Sequence, residues 1–398
     1  MNRRNFVRTS ALAAAATPLA TSAQGSDPKY KVAVIGHTGR GNFGHGLDTV
    51  WMRHDSCRIV ALADPDEAGR AKAGGKLKVA ESGQFSDYGK MLKETRPDFV
   101  AVCPRHADQH HEMILAAIKH GAKGVYVEKP FVRSPAEADE VIAAAKKANT
   151  KIAVAHRNRY HPGLKAISEM IDQDPFGKLL EIRGRGKGDR RGGGEDLWVL
   201  GSHVLNLMAY FGGKVSTCSA NVLKDGKRVT AADVYDGAEG LGPLAGNEVH
   251  ARYLFESGIS GTFDSMAEDG TSGAGFGLQL VGSGGIVNIQ CDRDPLAHFV
   301  PGNPFAPSAE SRPWNSISSE GIGKPETRKE EVAAVHNHDA AIRDLLAAVE
   351  EDRVPLCGLK EGAETVEMIC AVFESHRQNS AAVSLPLSQR ENALSLLG

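Results

Sequence analysis

The sequence predicts an α/β domain built on a parallel sheet, followed by an α+β domain built on a largely antiparallel open sheet. The length of 398 residues exceeds what one hydrophobic core usually organises. Short apolar runs alternate with amphipathic stretches in the first part of the chain, whereas longer alternating runs between Gly-rich turns fill the middle. Because hydrophobic residues make up 41% and charged residues 24%, the composition indicates a globular chain rather than a disordered or membrane-embedded one.

The first domain is predicted over residues 28–156. Its strands are short runs rich in Val, Ile or Ala that stop at turn signals, namely residues 31–35, 58–63, 98–103, 124–128 and 151–155. Helices are predicted at 108–120 and 134–148, where apolar residues recur every three or four positions. This alternation is typical of a doubly wound parallel sheet.

The second domain is predicted over 157–336, with C-terminal helices over 337–398 that pack back on the domain junction. A helix near 162–173 precedes alternating segments at 179–187, 216–223, 247–255, 258–265 and 277–290. Residues 292–332 are rich in Pro, Ser and charge, so we expect a long irregular excursion there. Helices near 338–351 and 360–377 close the chain.

Residues 1–23 are interpreted as a twin-arginine export signal. Arg3 and Arg4 precede an apolar run over 11–16 and a small-residue end at 21–23. A surface helix that begins with two arginines is the alternative. We therefore expect a periplasmic or otherwise exported protein, handled by the twin-arginine export machinery and without stable membrane insertion.

Charge and cysteine content exclude several classes of protein. The formal net charge of −2 gives nucleic acid no electrostatic reason to bind. The six cysteines are scattered without a CxxC pair, so we expect neither a metal site nor a dense disulfide framework. Since twin-arginine export moves proteins already folded in a reducing cytoplasm, mostly free, buried thiols are expected.

A dinucleotide-binding loop is predicted at the end of the first strand, in Gly36, Thr38, Gly39, Arg40 and Gly41. A strand, a tight glycine turn and a helix that opens soon afterwards place backbone N–H groups and the positive helix end against a pyrophosphate. Thr38 stands where the usual G-x-G-x-x-G motif has its second glycine. A plain strand-to-helix turn is therefore the alternative.

Asp64 ends the second predicted strand, where a carboxylate accepts hydrogen bonds from the adenine ribose hydroxyls of a dinucleotide. Its charge would repel a 2′-phosphate, and no arginine follows within the turn 64–66. NAD is therefore favoured over NADP. A helix N-cap role for Asp64 is the alternative.

Taken together, these motifs resemble the Gfo/Idh/MocA family (glucose-fructose oxidoreductase, inositol dehydrogenase, rhizopine catabolism) over nearly the whole chain after the export signal. They include the glycine loop, Cys103-Pro104, His110 before a helix ending at Gly121, Glu128-Lys129-Pro130, Asn158 to Pro162, Gly192 to Gly194 and Gly201 to Asn206. The resemblance implies a Rossmann domain with Pro104, His110 and Glu128 in its cofactor site. It also implies assembly through the open sheet, as a homo-dimer or homo-tetramer.

The resemblance further implies the catalytic residues. Lys129 corresponds to the family lysine beside the nicotinamide, which hydrogen-bonds a substrate hydroxyl as hydride departs. Pro130 resembles a family cis-proline. His203 corresponds to the family general acid or base. A solvent-facing loop lysine and a merely packed helix histidine are the alternatives.

One position departs from the family pattern. Many members place an aspartate four residues before the histidine, but position 199 is valine. If the segment is helical, Asp196 lies about two turns before His203 on the same face and is predicted to replace that carboxylate, with Glu195 beside it. Alternatively, both acids simply charge the first helical turn. Asn206 also stands where an aspartate is common.

Substrate contacts are predicted at Arg159, Tyr160, Trp198 and Asn206. Trp198 either stacks on a sugar ring or lies in the core. A basic set comprises Arg183, Arg185, Lys187, Arg190 and Arg191, of which the first three alternate on one strand face. This set forms ion pairs across a subunit contact or binds an acidic sugar.

The sequence therefore predicts an exported NAD(P)-dependent oxidoreductase acting on a CH–OH group of a sugar, glycoside or polyol. Because no free NAD pool exists outside the cytoplasm, the cofactor is expected to be nondissociating. One alternative is an NAD-dependent glycosidase that works by oxidation, elimination and reduction. The other is a non-catalytic sugar-binding or sensory protein that has kept the fold.

Overall fold

The computed structural model describes residues 28–397, so the predicted export signal at 1–23 lies outside the described residues. The first domain is a six-stranded parallel sheet in the order β3-β2-β1-β4-β5-β6. Its strands are β1 Tyr30–Ile35, β2 Cys57–Ala63, β3 Gln84–Phe85, β4 Phe99–Val102, β5 Gly124–Val127 and β6 Lys151–Val154. Its helices are α1 Glu67–Leu77, α2 Tyr88–Thr95, α3 His110–Lys119 and α4 Pro135–Ala148.

Apolar strands and polar helix caps explain why these residues form this domain. The central strands β1, β4 and β5 are almost wholly buried, as a sheet covered on both faces requires. Three helices begin at side-chain caps: Asp66 accepts from Gly69 N, Asp87 from Lys90 N and Ser134 from Glu137 N. The N-cap of α1 is therefore Asp66 rather than Asp64.

The prediction that an α-helix begins soon after the glycine loop is wrong. Turns continue to Thr49, and only a short 3-10 helix follows, at Val50–Arg53. Backbone hydrogen bonds in both directions between His37 and Asn42, at 3.0 and 2.9 Å, close the loop into a narrow hairpin. An α-helix cannot run through repeated left-handed residues, which here are Gly39, Gly41, Asn42, Gly44 and Gly46.

The second domain contains a large sheet in the order β18-β17-β16-β15-β14-β7-β13-β12-β8-β19, with β9 paired to β8. Only β7 and β13 run parallel to each other; the other neighbours are antiparallel. Its first strands are β7 Leu179–Arg185, β8 Val215–Lys224, β9 Lys227–Arg228, β12 Glu248–Phe255 and β13 Ser260–Met266. Helices α5 Gly163–Met170, α6 Gly194–Val199 and α7 Gly201–Gly212 belong to this domain. The predicted fold class is confirmed.

Two predictions for this sheet need correction. The segment 277–290 is a hairpin of two strands, β14 Gly277–Gly282 and β15 Gly285–Gln290. The predicted irregular excursion 292–332 contains β16 Ala297–Pro301, β17 Asn315–Ser318 and β18 Gly321–Ile322, which extend the sheet at one end. Buried Phe299 and Ile317 anchor these short strands within a composition dominated by Pro and Ser.

A small hairpin that the sequence analysis did not predict stands apart from both sheets. Strands β10 Tyr235–Gly237 and β11 Gly242–Leu244 pair only with each other. We call residues 235–244 the arm. The side chain of Leu244 packs against Gly194 at the start of α6 and fixes the base of the arm.

The C-terminal helices connect the two domains. They are α8 Lys329–His336, α9 Asp339–Glu350 and α10 Leu359–Arg377, followed by β19 Val383–Ser384 at the edge of the large sheet. Helix α9 contacts β5 and β6, whereas α10 contacts α4, α7 and β8. Within residues 28–397, no helix has the length and apolar character needed to cross a membrane.

Candidate active site

A small cavity lies where the carboxyl ends of β5 and β6 face α7. It encloses about 120 Å³, and we call it the catalytic cavity. Charged and ionisable side chains dominate its walls, among them Lys129, Arg157, Arg191, His203, Glu239 and Asp292. The structure therefore brings together two of the three residues predicted to be catalytic, Lys129 and His203.

Lys129 follows β5 directly and is 7% exposed. Its ammonium donates a hydrogen bond to the Val199 carbonyl oxygen at 2.9 Å. Burial lowers the pKa of Lys129, and the adjacent Glu128 carboxylate opposes that shift. The Lys129–Pro130 peptide bond is cis, as the family resemblance implies.

His110 lies beneath the cavity rather than in its wall. Its Nε2 is 2.7 Å from the Pro104 carbonyl oxygen, and its Nδ1 is 2.8 Å from the Pro130 carbonyl oxygen. The buried imidazole thus ties the loop after β4 to the loop that carries Lys129. Pro104 and His110 were predicted in the cofactor site, and the structure places them as supports of that site.

His203 lies on α7 with its ring against the ring of His156, at a centroid distance of 5.4 Å and an angle of 84°. Burial lowers the pKa of His203 to about 3; Asp292 opposes the shift, while Lys129 and Arg157 add to it. The ring is therefore neutral near pH 7 and able to accept a proton. Within the described chain, His203 Nδ1 and both His156 ring nitrogens lack a hydrogen-bond partner.

His156 is a site residue that the sequence analysis missed. It follows β6 as Lys129 follows β5, and the carboxyl ends of neighbouring parallel strands meet at one edge of a sheet. That placement was the available signal. Burial, with His203 as the largest charged contribution, holds the pKa of His156 well below its ordinary value.

Glu128 contributes a charged oxygen to the same cavity. Although burial opposes it, the hydrogen bond with His45 and the charge of Lys129 lower the pKa of Glu128 to about 2. Its Oε1 is 3.2 Å from His45 Nδ1, whereas its Oε2 has no partner among the described residues. Nearby, His338 accepts the Tyr126 hydroxyl at 2.6 Å and leaves its Nε2 without a partner.

We call the groove along the carboxyl ends of the parallel strands, from the catalytic cavity to the glycine loop, the crevice. At its glycine-loop end, groups of the protein itself donate hydrogen bonds to the Asp64 carboxylate. The Thr38 N–H and hydroxyl donate to it, the hydroxyl at 2.7 Å, and the Asp66 N–H donates at 3.0 Å. Asp64 is fully buried. Arg70 donates to the Asp64 main-chain oxygen at 2.7 Å, an arginine that lies beyond the turn in which the sequence analysis looked for one.

The glycine loop is hydrogen-bonded to the loop that follows β4. Arg40 pairs with Asp108 at 2.6 Å, and His37 Nδ1 lies 2.5 Å from Gln109 Oε1. Because β1 and β4 flank the switch point of this sheet, where ligands of doubly wound folds bind, these bonds bridge the crevice. Gly39 keeps open space around its α-carbon, with a left-handed φ of +83°.

Other glycines of the loop are covered by protein. The Phe43 ring lies over Gly36, so that a Cβ there would lie 2.2 Å from the ring. Gly41 backs onto the main chain of Arg105, whose N–H donates to the Gly41 oxygen at 3.2 Å. The glycine residues are therefore needed for close approach of backbone and side chains within the loop itself.

The arm closes the same crevice from the second domain. Arg105 lies 3.6 Å from Glu239 at the tip of the arm. A Cβ on Gly240 would lie 2.2 Å from Asp108 Oδ1, so the tip presses directly on that side chain. We call the contacts of Arg40, Asp108, His37 and Gln109, together with the tip of the arm, the latch.

These residues fit a nicotinamide dinucleotide. Glu128 Oε2, His338 Nε2 and His203 Nδ1 are buried polar atoms that a ligand could satisfy, and such atoms are rarely left unpaired in folded proteins. At the opposite end, Gly39 offers open, left-handed backbone, and Asp64 provides the carboxylate. The contacts of the latch cross the crevice between these two groups of residues.

Asp196 does not reach the catalytic cavity. Its Oδ2 accepts the Ser265 hydroxyl at 2.7 Å and the Lys187 N–H at 3.0 Å, which ties α6 to the large sheet. Helix α6 ends at Val199 and α7 begins at Gly201, so the two-turn helical spacing assumed for Asp196 and His203 is interrupted. The expectation that Asp196 lies beside His203 is wrong, and a carboxylate that does share the walls of the cavity with His203 is that of Asp292.

The four predicted substrate residues also lie outside the walls of the cavity. Arg159 donates to the Asn206 main-chain oxygen at 3.1 Å, and Asn206 donates to the Thr365 hydroxyl of α10 at 3.2 Å. Trp198 is fully buried, as in the core alternative, and Tyr160 packs against the core of the first domain. These side chains hold elements together rather than line the site.

The basic set divides between two surfaces. Arg183 pairs with Glu181, and Arg185 pairs with Asp269, at strand β7. Arg191 instead reaches the catalytic cavity, with its guanidinium 2.7 Å from Asp189. One member of the set is therefore placed where it could meet a substrate.

Comparisons with known proteins agree with this architecture. The sequence profile of the Gfo/Idh/MocA oxidoreductase family, NAD-binding Rossmann fold, matches residues 30–156. The profile of that family's C-terminal alpha/beta domain matches residues 169–385. Together these matches cover most of the chain.

Two curated relatives match different lengths of the chain. D-apiose dehydrogenase of Paraburkholderia graminis is 25% identical over 311 residues, which span 73% of this chain and 77% of the relative. An uncharacterised oxidoreductase of Streptococcus pneumoniae is 29% identical over 145 residues, 36% of this chain and only 38% of the relative.

Solved structures share the fold over nearly the whole chain. An NAD-binding oxidoreductase from Klebsiella pneumoniae superposes with a TM-score of 0.66 and 18% identity, covering 90% of this chain and 99% of its own. Levoglucosan dehydrogenase in complex with NADH and levoglucosan superposes with a TM-score of 0.68 and 17% identity, covering 89% and 99%. At this level of identity the likeness shows the fold alone.

Proposed function

Because the chain belongs to the Gfo/Idh/MocA oxidoreductase family, we propose that it is an exported NAD-dependent oxidoreductase acting on a CH–OH group of a sugar, glycoside or polyol. The observation that carries the proposal is the shared cavity of Lys129 and His203 at the carboxyl end of the parallel sheet. The names of its relatives, which include D-apiose dehydrogenase and inositol 2-dehydrogenase, support a sugar or polyol substrate. The arginine pair and apolar run within residues 1–23 support export.

The residues of this chain supply the proton chemistry. Lys129 donates a hydrogen bond to the substrate oxygen and stabilises negative charge on it. His203, neutral near pH 7, accepts the hydroxyl proton as the O–H bond breaks and its electrons form the carbonyl bond. A bound nicotinamide supplies the hydride acceptor.

The crevice supports a retained NAD. The buried carboxylate of Asp64 at the end of β2 supports NAD over NADP, because a 2′-phosphate near it would meet like charge. In the latch, the His37–Gln109 hydrogen bond and the ion pairs Arg40–Asp108 and Arg105–Glu239 would oppose departure of a dinucleotide. Such retention suits an exported enzyme that has no cofactor pool to draw on.

A redox-neutral glycosidase is a second candidate, favoured by the pair of buried histidines. Oxidation at C3 of a glycoside acidifies the neighbouring C2–H, and elimination then needs a base in addition to the one that took the hydroxyl proton. His156 stands beside His203 with both ring nitrogens unpartnered. Because His156 does not line the catalytic cavity, it would serve as that second base only where its ring moves toward the substrate.

Two measurements on the purified full chain test these functions. Denaturation should release nicotinamide nucleotide close to one equivalent per chain, and the oxidised and reduced forms are separated by chromatography. The enzyme is then supplied with polyols and with methyl and aryl glycosides. A keto product with reduced nicotinamide supports the dehydrogenase, and free sugar without net reduction supports the glycosidase. Absence of both nucleotide and turnover would contradict the proposal and favour a sugar-binding protein.

A further inference from the structure

The catalytic cavity contains a carboxylate that replaces, from a distant part of the chain, the side chain missing at Val199. The main-chain oxygen of Val199 already accepts the Lys129 ammonium, but it brings no negative charge. The acidic residues in the walls of the cavity are Glu128, Glu239 and Asp292. One of these must provide the charge if His203 is to be assisted.

Glu128 and Glu239 each pair with a group on the glycine-loop side of the crevice. Glu128 Oε1 pairs with His45 and thereby faces the glycine loop. Glu239 is carried by the arm and pairs with Arg105 at 3.6 Å. Asp292 shares the walls of the cavity with His203, and it is the charged group that most opposes the lowering of the His203 pKa by burial.

The fold holds Asp292 rigidly in the turn between β15 and β16. Its Oδ1 accepts Arg157 Nε at 3.0 Å and Asn158 Nδ2 at 3.1 Å, and its own N–H donates to Asn158 Oδ1 at 3.0 Å. Its main chain is left-handed, with a φ of +60°. Such a conformation in a non-glycine residue persists only where surrounding contacts impose it. All hydrogen bonds found to the carboxylate within residues 28–397 end on Oδ1, which leaves Oδ2 available.

The groups around His203 disfavour its protonated form, with few exceptions. Lys129 and Arg157 contribute positive charge, and the buried His156 ring lies against it from the end of β6. Phe276 covers another side, at a centroid distance of 6.0 Å. Asp292 and, more weakly, Glu128 are the negative charges that oppose these effects.

We propose that Asp292 acts through His203: the negative charge of its carboxylate, in the wall of the same cavity, stabilises the imidazolium that forms when His203 takes the substrate hydroxyl proton. The proposal rests on the oxidoreductase function proposed above. In this step the substrate O–H bond breaks, the proton moves to a ring nitrogen of His203, and Asp292 keeps its own charge throughout. The carboxylate of a serine-protease triad likewise stabilises the imidazolium of its histidine, there through a direct hydrogen bond.

The test compares one variant at position 292 that removes the negative charge with one that keeps it, and adds a matched control at a neighbouring position. Asp292→Asn keeps an oxygen that can accept from both Arg157 and Asn158, so it removes mainly the charge. Asp292→Glu keeps the charge. Asp294→Asn is the matched control, because Asp294 lies exposed in the same turn and outside the walls of the cavity.

We expect Asp292→Asn to lower kcat about 100-fold with KM changed less than about threefold, as for loss of assistance to a general base. Asp292→Glu should regain part of that rate, and Asp294→Asn should match the wild type. Because hydroxide can replace a weakened base, the remaining Asp292→Asn rate should rise from neutral to alkaline pH more steeply than the wild-type rate. Adding Val199→Asp to Asp292→Asn should restore part of kcat.

A substrate-free measurement separates this proposal from the proposed function. Nitrogen-15 signals of the His203 ring, assigned with His203→Gln, should shift in Asp292→Asn and stay in place in Asp294→Asn. Equal His203 spectra, or equal kcat for the two asparagine variants, would overturn the role of Asp292. If the His203 signals shift in Asp292→Asn but the wild-type protein shows no turnover, the oxidoreductase proposal is overturned and the inferred pairing of Asp292 with His203 stands.

Discussion

The two ends of the crevice in the first domain use polar groups in opposite ways. At the Lys129 end, Glu128, His156, His203 and His338 each keep a buried polar atom without a partner. At the glycine-loop end, Asp64 is saturated by its neighbours and Arg40 is paired, although Asp108 Oδ1 and His106 Nδ1 lack a partner there in the described part of the chain. Since unpaired buried polar atoms are destabilising, the first end is organised to be completed by a ligand. At the second end the carboxylate expected to meet a ligand is held by the protein itself, so a ligand would have to displace those contacts.

Removing the Lys129 ammonium tests the difference between the two ends of the crevice most directly. Lys129→Ala should lower kcat about 1,000-fold, because it removes the donor placed for the substrate oxygen. Its thermal midpoint near pH 7 should equal or exceed that of the wild type, because burial lowers the pKa of Lys129 and so makes its charge a burden on the folded state. Steady-state kinetics and thermal unfolding measure both effects.

Lys123→Ala is the matched control for that variant. Lys123 precedes the other end of β5 and pairs with Asp98 at 2.8 Å on the surface. It should leave kcat unchanged. A Lys129→Ala enzyme that keeps at least a third of the wild-type rate would show that the unpartnered end of the crevice is not the catalytic end.

The unpartnered end should also make the protein sensitive to acid. The folded pKa of His203 is about 3, below its ordinary value of 6.5, so between these values the unfolded state binds a proton that the folded state does not. The free energy of unfolding therefore falls as pH drops through this window, by about 1.4 kcal/mol per pH unit for one group. His203→Gln should show a shallower loss in denaturant unfolding followed against pH.

His161→Gln provides the comparison for the acid experiment. Burial lowers the pKa of His161 to about 4, and it lies away from the walls of the catalytic cavity. It should flatten the pH dependence of stability in the same direction while leaving kcat intact. Identical slopes for His203→Gln and the wild type would contradict a buried, neutral His203.

Retention of the cofactor at the glycine-loop end is tested by two glycine substitutions in the arm. Gly240→Ala and Gly242→Ala both force a side chain onto left-handed backbone, at φ of +65° and +75°. Only Gly240 would place its Cβ against Asp108, whereas Gly242 faces open space. Gly240→Ala should lose bound nicotinamide about tenfold faster on gel filtration, the change that about 1.4 kcal/mol produces. Equal loss from both variants would show that the arm does not hold the crevice closed.

Sequence patterns predicted the first domain more completely than the second for a physical reason. Parallel strands buried on both faces are continuous apolar runs, and helices capped by Asp or Ser announce where they begin. The three strands at the end of the large sheet carry only a few buried residues, such as Phe299 and Ile317, among Pro and Ser. Local composition outweighed these signals, so the strands were missed.

Within the site, the residues that follow parallel strands could be placed from sequence, and those delivered by distant turns could not. Lys129 lies at a strand end where the resemblance and the topology agree. Asp292 enters the cavity of His203 from the turn between the paired strands β15 and β16, and no local spacing in the sequence records that placement. The prediction that Asp196 assists His203 was wrong because the helix assumed to join the two residues breaks at Leu200.

The smallest effect on activity is expected from substitution of Arg159. The sequence analysis predicted this residue in the substrate site, whereas in the structure it holds neighbouring elements together. Arg159 donates to the Asn206 main-chain oxygen and lies over the Tyr210 ring at 5.1 Å, with Glu361 at 3.9 Å. Arg159→Ala should change KM for the sugar less than about twofold and lower the free energy of unfolding by about 1–2 kcal/mol, as for loss of a part-buried charged donor. The exposed Arg190→Ala should change neither quantity. A tenfold rise in KM without loss of stability would show that Arg159 belongs to the substrate site and that this site extends from the Lys129 end of the crevice toward α10.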